Sequence, residues 1–244
     1  MKKLIVIPTY NESKNINELL TKIFYAQKDV NVLIVDDNSP DGTGKIVDNF
    51  IKNKTFGDSL FVLHRNCKLG LGTAYIEGFI WGMEKGYDVF LSMDADLSHN
   101  PKYLPKIFSA MKENDLVIGS RYVKGGGVRD WPLLRRLISL GGNIYAQLVL
   151  MSNVRDLTGG FNCYHRRFLE KINLKSIFSK GYCFQIEMKF RHVLLGCKIK
   201  EIPIVFTDRL LGSSKMSGSI FKEAVLNVIN LSIKRSEIKN LMKD

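Results

Sequence analysis

Along the first half of the chain, nearly unbroken apolar runs alternate with stretches whose apolar residues return every three or four positions. The runs are Leu4–Ile7, Val32–Val35, Leu60–Leu63, Val89–Met93 and Leu116–Ile118. Between them, helical periodicity marks residues 15–26, 43–52, 73–85 and 101–113. A run that is apolar at every position suits a strand covered on both sides, the condition of a parallel sheet between two helical layers. The pattern therefore predicts an α/β fold with a mostly parallel sheet and helices on both faces. Ligands in such sheets bind beyond the carboxyl ends of the strands. The polar segments there are Thr9-Tyr10-Asn11-Glu12, Asp36-Asp37-Asn38-Ser39 and Asp94-Ala95-Asp96, and all three are expected on one rim.

The second half is less regular. Lys124-Gly125-Gly126-Gly127 leads into a long amphipathic segment, Leu133 to Met151. A helix near 184–195, a strand near 199–206 and a terminal helix near 219–242 follow. With no internal repeat, low-complexity tract or linker, residues 1–244 read as a single domain with an elaborated C-terminal part.

Charge separates the halves further. Residues 1–118 carry 14 Lys/Arg against 15 Asp/Glu, a balance of −1, whereas residues 119–244 carry 22 against 9, a balance of +13. The cationic half is expected to face phosphates, anionic lipid headgroups or nucleic acid. The four cysteines (Cys67, Cys163, Cys183, Cys197) form no C-x-x-C pair, which fits reduced thiols better than a disulfide frame or zinc site. Pro8 stops the apolar start before it resembles a signal peptide, and no apolar run approaches the roughly 20 residues of a spanning helix.

Asp36-Asp37-Asn38-Ser39-Pro40-Asp41-Gly42 reads equally as turn and cap residues or as a ligand site. Three acidic clusters at successive strand ends would repel one another unless a cation or a donor-rich ligand sat among them. Mg²⁺ typically uses one or two carboxylates plus substrate phosphates. The first βα turn lacks G-x-G-x-x-G, so pyrophosphate binding at a helix N-terminus is not expected. A nucleoside diphosphate held through a metal becomes the leading idea. Arg121 follows the fifth strand on the same rim, Arg135 and Arg136 begin the amphipathic segment, and Arg209 and Lys215 flank Gly212 in a loop. Any one of these cations also reads as an ordinary surface residue. His99 is read as a helix-start residue rather than a catalytic one.

Seven motifs occur in order: Pro8-Thr9-Tyr10-Asn11-Glu12, Asp36 to Thr43, Leu69 to Tyr75, Met93 to His99, Gly119-Ser120-Arg121-Tyr122, Leu157-Thr158-Gly159-Gly160-Phe161, and Asp208 to Lys215. Over nearly its whole length the chain resembles the dolichol-phosphate mannose synthases, or polyprenyl-phosphate mannosyltransferases. These are inverting glycosyltransferases of family 2 with the Rossmann-like GT-A fold. The resemblance implies transfer of mannose from GDP-mannose to a polyprenyl (dolichyl) phosphate, with Mg²⁺ or Mn²⁺ as cofactor. It divides the domain into a nucleotide-sugar half (1–118) and an acceptor and membrane-facing half (119–244).

Residue by residue, it implies that Pro8, Tyr10, Glu12, Val35 and Asp37 line the guanine and ribose pocket. Asp94, Ala95 and Asp96 would meet the nucleotide and its metal, with Asp96 the surest ligand. Arg121, Arg135 and Ser139 would hold the acceptor phosphate, and Arg209 and Lys215 the donor diphosphate or sugar. Asp96, Arg121 and Arg209 would carry catalysis. Some relatives have Gln where Ser98 stands; the shorter Ser98, counted among the metal residues, would bind through water or leave a site to solvent. Some also carry C-terminal transmembrane helices. Here membrane contact would be peripheral or through small anchoring subunits, at the cytoplasmic face of the endoplasmic reticulum or, in a prokaryote, the plasma membrane.

A phosphate monoester acceptor, with a second pKa of about 6, is already an anionic nucleophile at neutral pH, so no strong general base is required. The apolar faces of Leu133–Leu140 and of Ile220, Phe221, Val225, Val228, Ile229 and Ile233 read either as packing faces or as helices in a membrane interface. A related transferase using another nucleotide sugar, such as UDP-glucose, is the nearest alternative. A nucleic-acid-binding protein is disfavoured, because the aromatics form no stacking platform and the acids occupy the rim a duplex would approach.

Overall fold

The computed structural model describes residues 1–179, 181, 183–207 and 218–242, without the side chains of 218–223. Strand β1 (Lys3–Thr9) is an interior strand of a seven-stranded sheet. Its side chains alternate between two cores: Leu4 and Val6 enter one, Ile5 and Ile7 the other, all fully buried. In β2 (Asn31–Asp36), Leu33 and Val35 share the first core, and Val32 and Ile34 the second. Burial on both faces is why these strands read as continuous apolar runs.

The chain continues through α1 (Ile16–Ala26), α2 (Thr43–Lys52), β3 (Leu60–His64), α3 (Leu71–Glu84) and β4 (Val89–Ser92). A 3₁₀ turn, Pro101–Tyr103, leads into α4 (Leu104–Ala110), and β5 (Leu116–Ser120) follows. Apolar faces of α1, α2 and α4 cover one side of the sheet, whereas α3 covers the other with Ala74, Tyr75 and Phe79. Gly78 lets α3 approach β1 closely, since a Cβ there would lie 2.4 Å from Val6 Cγ1.

The second half adds β6 (Gly127–Arg129), α5 (Leu133–Leu150), β7 (Asn162–His165), α6 (Arg166–Lys171), α7 (Cys183–Leu194), β8 (Ile199–Pro203), β9 (Val205–Thr207), α8 (Gly218–Ile233) and α9 (Arg235–Leu241). The sheet order is β3-β2-β1-β4-β7-β5-β8. All neighbours are parallel except β7, which is antiparallel to both β4 and β5. Two differences from the predicted elements matter. Strand β7 was not expected, because its four residues start at Asn162 and end at His165. The strand expected near 199–206 divides at Ile204, whose N–H still reaches Ser120 O at 3.0 Å. Beyond it, β9 leaves the main sheet and pairs in parallel with β6.

Candidate active site

The loops after β1 and β2 meet first. Asp36 accepts Thr9 Oγ1 at 2.7 Å, Ser39 N at 3.0 Å and Ser39 Oγ at 2.6 Å. It is therefore the structural acid of its pair, holding the turn that also contains Asn38 at φ 56°. Asp37 points elsewhere, to Arg65 Nη1 at 2.5 Å and Gly70 N at 3.3 Å. Buried Arg65 also donates to Thr73 Oγ1 at 2.7 Å, so Asp37 is coupled to the start of α3. Arg65 was not singled out in the sequence, because nothing local to it marks a partner 28 residues away.

Pro8 lies opposite Val35 in the β1–β2 register. The Val35 side chain is fully buried in the core beneath α3, so a contribution to a nucleotide pocket would come from its main chain. Tyr10 carries Lys68 Nζ 3.9 Å from its ring centroid. Glu12 accepts Asn15 Nδ2 at 2.8 Å, and its N–H donates to Thr43 Oγ1 at 2.9 Å.

The acidic loop beyond β4 is shaped from within. Ser98 donates to Asp96 Oδ1 through its N–H at 3.1 Å and its hydroxyl at 2.5 Å. Between them Leu97 is held at φ 64°, a conformation costing a bulky residue about 1–3 kcal/mol. Ala95 is buried beside them. Tyr75 OH donates to Asp94 Oδ1 at 3.2 Å. His99 corrects the helix-start expectation: Asn100 caps the following turn by accepting Lys102 N at 3.0 Å, while His99 Nδ1 accepts the Asp94 N–H at 3.0 Å. Burial lowers the His99 pKa against the pull of Asp94 and Asp96. The ring is thus neutral, with its proton on Nε2.

Arg121 stands at the end of β5, almost fully buried. Its Nε and Nη2 donate to Asp156 Oδ2 and Oδ1 at 2.8 and 2.7 Å, its main-chain N–H reaches Oδ2 at 2.9 Å, and Nη2 also meets Thr158 Oγ1 at 2.7 Å. Burial opposes the Arg121 charge, but Asp156 more than compensates and raises its pKa above the ordinary value. Burial likewise opposes charge on Asp156, yet Arg121 holds that carboxyl well below the usual range. Asp94 adds to the field that keeps Arg121 charged, so the arginine lies within electrostatic reach of the acidic loop. Beside it, Tyr122 OH and Ser139 Oγ are 2.7 Å apart, and the Arg135 guanidinium lies 4.1 Å from the Trp131 ring centroid. The expected acceptor residues Arg121, Arg135 and Ser139 are thus linked through Tyr122 and Trp131. Arg209 and Lys215 lie outside the described residues.

One further group underlies the arrangement. Lys189 of α7 is fully buried and donates to Leu157 O at 3.1 Å and Gly159 O at 2.5 Å. Burial lowers its pKa to about 7, against the pull of Asp156. Among the described residues, no group of three or more His, Cys, Asp or Glu converges as a metal cage. Two carboxylates on one loop, Asp94 and Asp96, nevertheless fit a hard cation whose remaining positions are filled by phosphate and water.

Residues 4–173 match the family described as Glycosyl transferase family 2. Polyprenol monophosphomannose synthase of Mycolicibacterium smegmatis is 45% identical over 232 residues, spanning 95% of this chain and 87% of that protein. Undecaprenyl-phosphate mannosyltransferase of Micrococcus luteus is 48% identical over 228 residues, spanning 93% of each. Glucosyl-3-phosphoglycerate synthase of Mycobacterium tuberculosis, solved with Mn²⁺, UDP and glucosyl-3-phosphoglycerate, superposes with a TM-score of 0.63 at 16% identity. That match covers 96% of this chain and 79% of the other, and the shared architecture is the GT-A fold.

Proposed function

The chain belongs to glycosyl transferase family 2, and from that premise we propose that it is a polyprenyl-phosphate mannosyltransferase. It moves mannose from GDP-mannose to a polyprenyl (dolichyl) monophosphate with inversion. The observation that carries this reading is the pairing of an acidic loop, Asp94–Asp96, with an arginine-rich pocket around Arg121 and Arg135. The names of the relatives identical at 45% and 48% support the lipid-phosphate acceptor and the mannosyl group.

Two anionic substrates must meet here without repelling each other. Pro8, Tyr10, Glu12 and Asp37 bind the nucleoside, with Arg65 orienting Asp37. Asp94 and Asp96 hold Mg²⁺ or Mn²⁺, which when bound would neutralise the leaving diphosphate. Ser98 orients Asp96 through its two hydrogen bonds. Arg121, Arg135 and Ser139 receive the acceptor phosphate, while the role of Arg209 and Lys215 is to bind the donor. An acceptor phosphate oxygen forms the new bond to the anomeric carbon from the face opposite the diphosphate, which departs with the bonding electron pair. Positioning and electrostatic stabilisation supply the catalysis. His99 Nδ1 is already engaged by the Asp94 N–H, which fits a reaction needing no imidazole base.

The acceptor reaches the site from a membrane surface. Leu133, Leu134, Leu137, Ile138, Leu140 and Ile144 of α5 are exposed, interleaved with Arg135 and Arg136. On α8, Val228 and Leu231 are buried whereas Leu226, Ile229 and Ile233 are exposed. The two helices are joined by Tyr145 OH donating to Val225 O at 3.0 Å and Ser232 Oγ donating to Val149 O at 3.0 Å. Among the described residues no helix is long and apolar enough to cross a membrane. An apolar, arginine-bearing face lying in the interface fits peripheral attachment at the cytoplasmic surface. Residues 1–118 then serve the nucleotide sugar, and 119–244 the acceptor and membrane.

The test mixes GDP-mannose, a polyprenyl phosphate and Mg²⁺ or Mn²⁺ and counts mannose in the organic phase. Transfer supports the reading. Transfer only from another nucleotide sugar rejects the donor, and no transfer from any donor rejects the enzyme assignment.

A further inference from the structure

A single ring touches both sides of the site. Phe206 of β9 lies 5.7 Å from the Arg121 guanidinium, measured to its centroid. It meets Trp131 edge to face, at 5.5 Å and 74°, and Trp131 in turn carries Arg135. It also meets His99 at 5.5 Å and 78°, and His99 accepts the Asp94 N–H. His99 is backed by Phe161, stacked at 4.9 Å and 9°. One side chain therefore borders Arg121, the tryptophan that carries Arg135, and the residue that fixes the main chain of the acidic loop.

The mount of this ring is tied at both ends. Phe206 stands opposite Val128 in the β6–β9 register. Val205 N donates to Tyr103 OH at 2.9 Å, and Gly127 N donates to Ile204 O at 2.9 Å. At Gly126 the main chain passes so close to the end of β5 that a Cβ would sit 2.5 Å from Ser120 O. The two-stranded sheet is thus fastened to α4's approach and to the strand bearing Arg121. Edge-to-face contacts and a cation beside a ring depend on a flat π-system, which an aliphatic side chain of similar bulk does not provide.

We propose that Phe206 is a positioning residue for the transfer reaction, setting the separation between the acceptor arginines and the Asp94–Asp96 loop. It touches no reacting atom; it acts through Arg121, Trp131 and His99. The inference rests on the function proposed above. Its particular content is that the ring governs how the two substrates meet, rather than how tightly the nucleotide binds.

Phe206→Leu and Phe206→Tyr are compared with the wild type for kcat, for KM toward polyprenyl phosphate and for affinity toward GDP with Mn²⁺. Small displacements of reacting groups are costly, so Phe206→Leu is expected to lower kcat about 10-fold or more, with nucleotide affinity within about twofold. Phe206→Tyr, which keeps the ring, is expected to restore most of the rate. Normal turnover by Phe206→Leu overturns the proposal, as does a Tyr variant no better than Leu, or nucleotide affinity falling in step with kcat. A second readout is independent of activity. In a Trp81→Phe background, Trp131 is the sole tryptophan, and its emission is expected to shift with Phe206→Leu but not with Phe206→Tyr. If the wild type transfers no mannose, the function falls while this emission still judges the positioning; an unshifted spectrum overturns it.

Discussion

Arg121 and Asp156, 35 residues apart in the chain, form a forked pair in which Nε meets Oδ2 at 2.8 Å and Nη2 meets Oδ1 at 2.7 Å. Asp156 is fully buried and Arg121 is 8% exposed. The fork uses one edge of the guanidinium and fixes its plane. An arginine held in this way is oriented before substrate arrives, which reduces the ordering cost of binding an anion.

Asp156→Ala removes the partner and leaves a buried guanidinium uncompensated. A loss of about 3–5 kcal/mol in unfolding free energy is expected, read from denaturant midpoints, together with loss of transfer. The wild-type pair also predicts a pH dependence. The Asp156 carboxyl is held below its unfolded value of about 3.9, so its contribution is complete above that pH and is lost as pH falls through the folded value. Asp156→Ala should flatten this acid limb; an unchanged limb would assign it to other carboxylates.

Asp96→Ala is expected to abolish both transfer and the metal dependence of nucleotide binding, measured by calorimetry with and without chelator. Ser98→Ala separates a supporting hydroxyl from a metal ligand. As an orienting group for Asp96, Ser98 should cost about 0.5–1.5 kcal/mol of stability and reduce Mn²⁺ affinity by about 10–100-fold. A larger loss of metal affinity would make Ser98 a direct ligand.

Lys189 predicts a rise of stability with pH of the same sign as that from Asp156, but in the alkaline range. Its folded pKa of about 7 lies below its unfolded value, so the unfolded chain binds more protons above that pH. Stability from this group therefore rises between about pH 7 and pH 10. Lys189→Met should lack that rise, as judged by denaturant midpoints at pH 6 and pH 9. A preserved rise would show that Lys189 is not its source.

Arg135→Ala should raise KM for polyprenyl phosphate while leaving GDP binding unchanged; the reverse result would reject the division of labour between the two halves. Replacing exposed Leu134 and Leu137 with Glu should release the protein from anionic lipid vesicles in a sedimentation assay. Because both leucines face solvent, unfolding free energy should stay within about 0.5 kcal/mol of wild type. Unaltered vesicle binding would place the lipid contact elsewhere.

Local order made the first half readable. The apolar runs at Leu4–Ile7 and Val32–Val35 are buried on both faces, and that condition is written directly into consecutive residues. The ordered motifs likewise identify the family, and the acids at the strand ends are visible from their neighbours alone. Asp36 and Asp37 mark the limit of such reading. Adjacent and chemically identical, they divide into a turn-holding acid and an acid paired with Arg65 only when Thr9 and Ser39 come within reach of one and α3 of the other.

Residue types, strand and helix periods, and the presence of a rim bearing carboxylates were determined by the sequence itself, because each depends on residues within a few positions of one another. Tertiary structure alone decided the insertion of β7 between β4 and β5, the departure of β9 to meet β6, and the partners of Arg121, Asp37 and His99. Those outcomes depend on which buried charge or polar group finds a counterpart when distant segments pack, and a one-dimensional pattern carries no record of that distance.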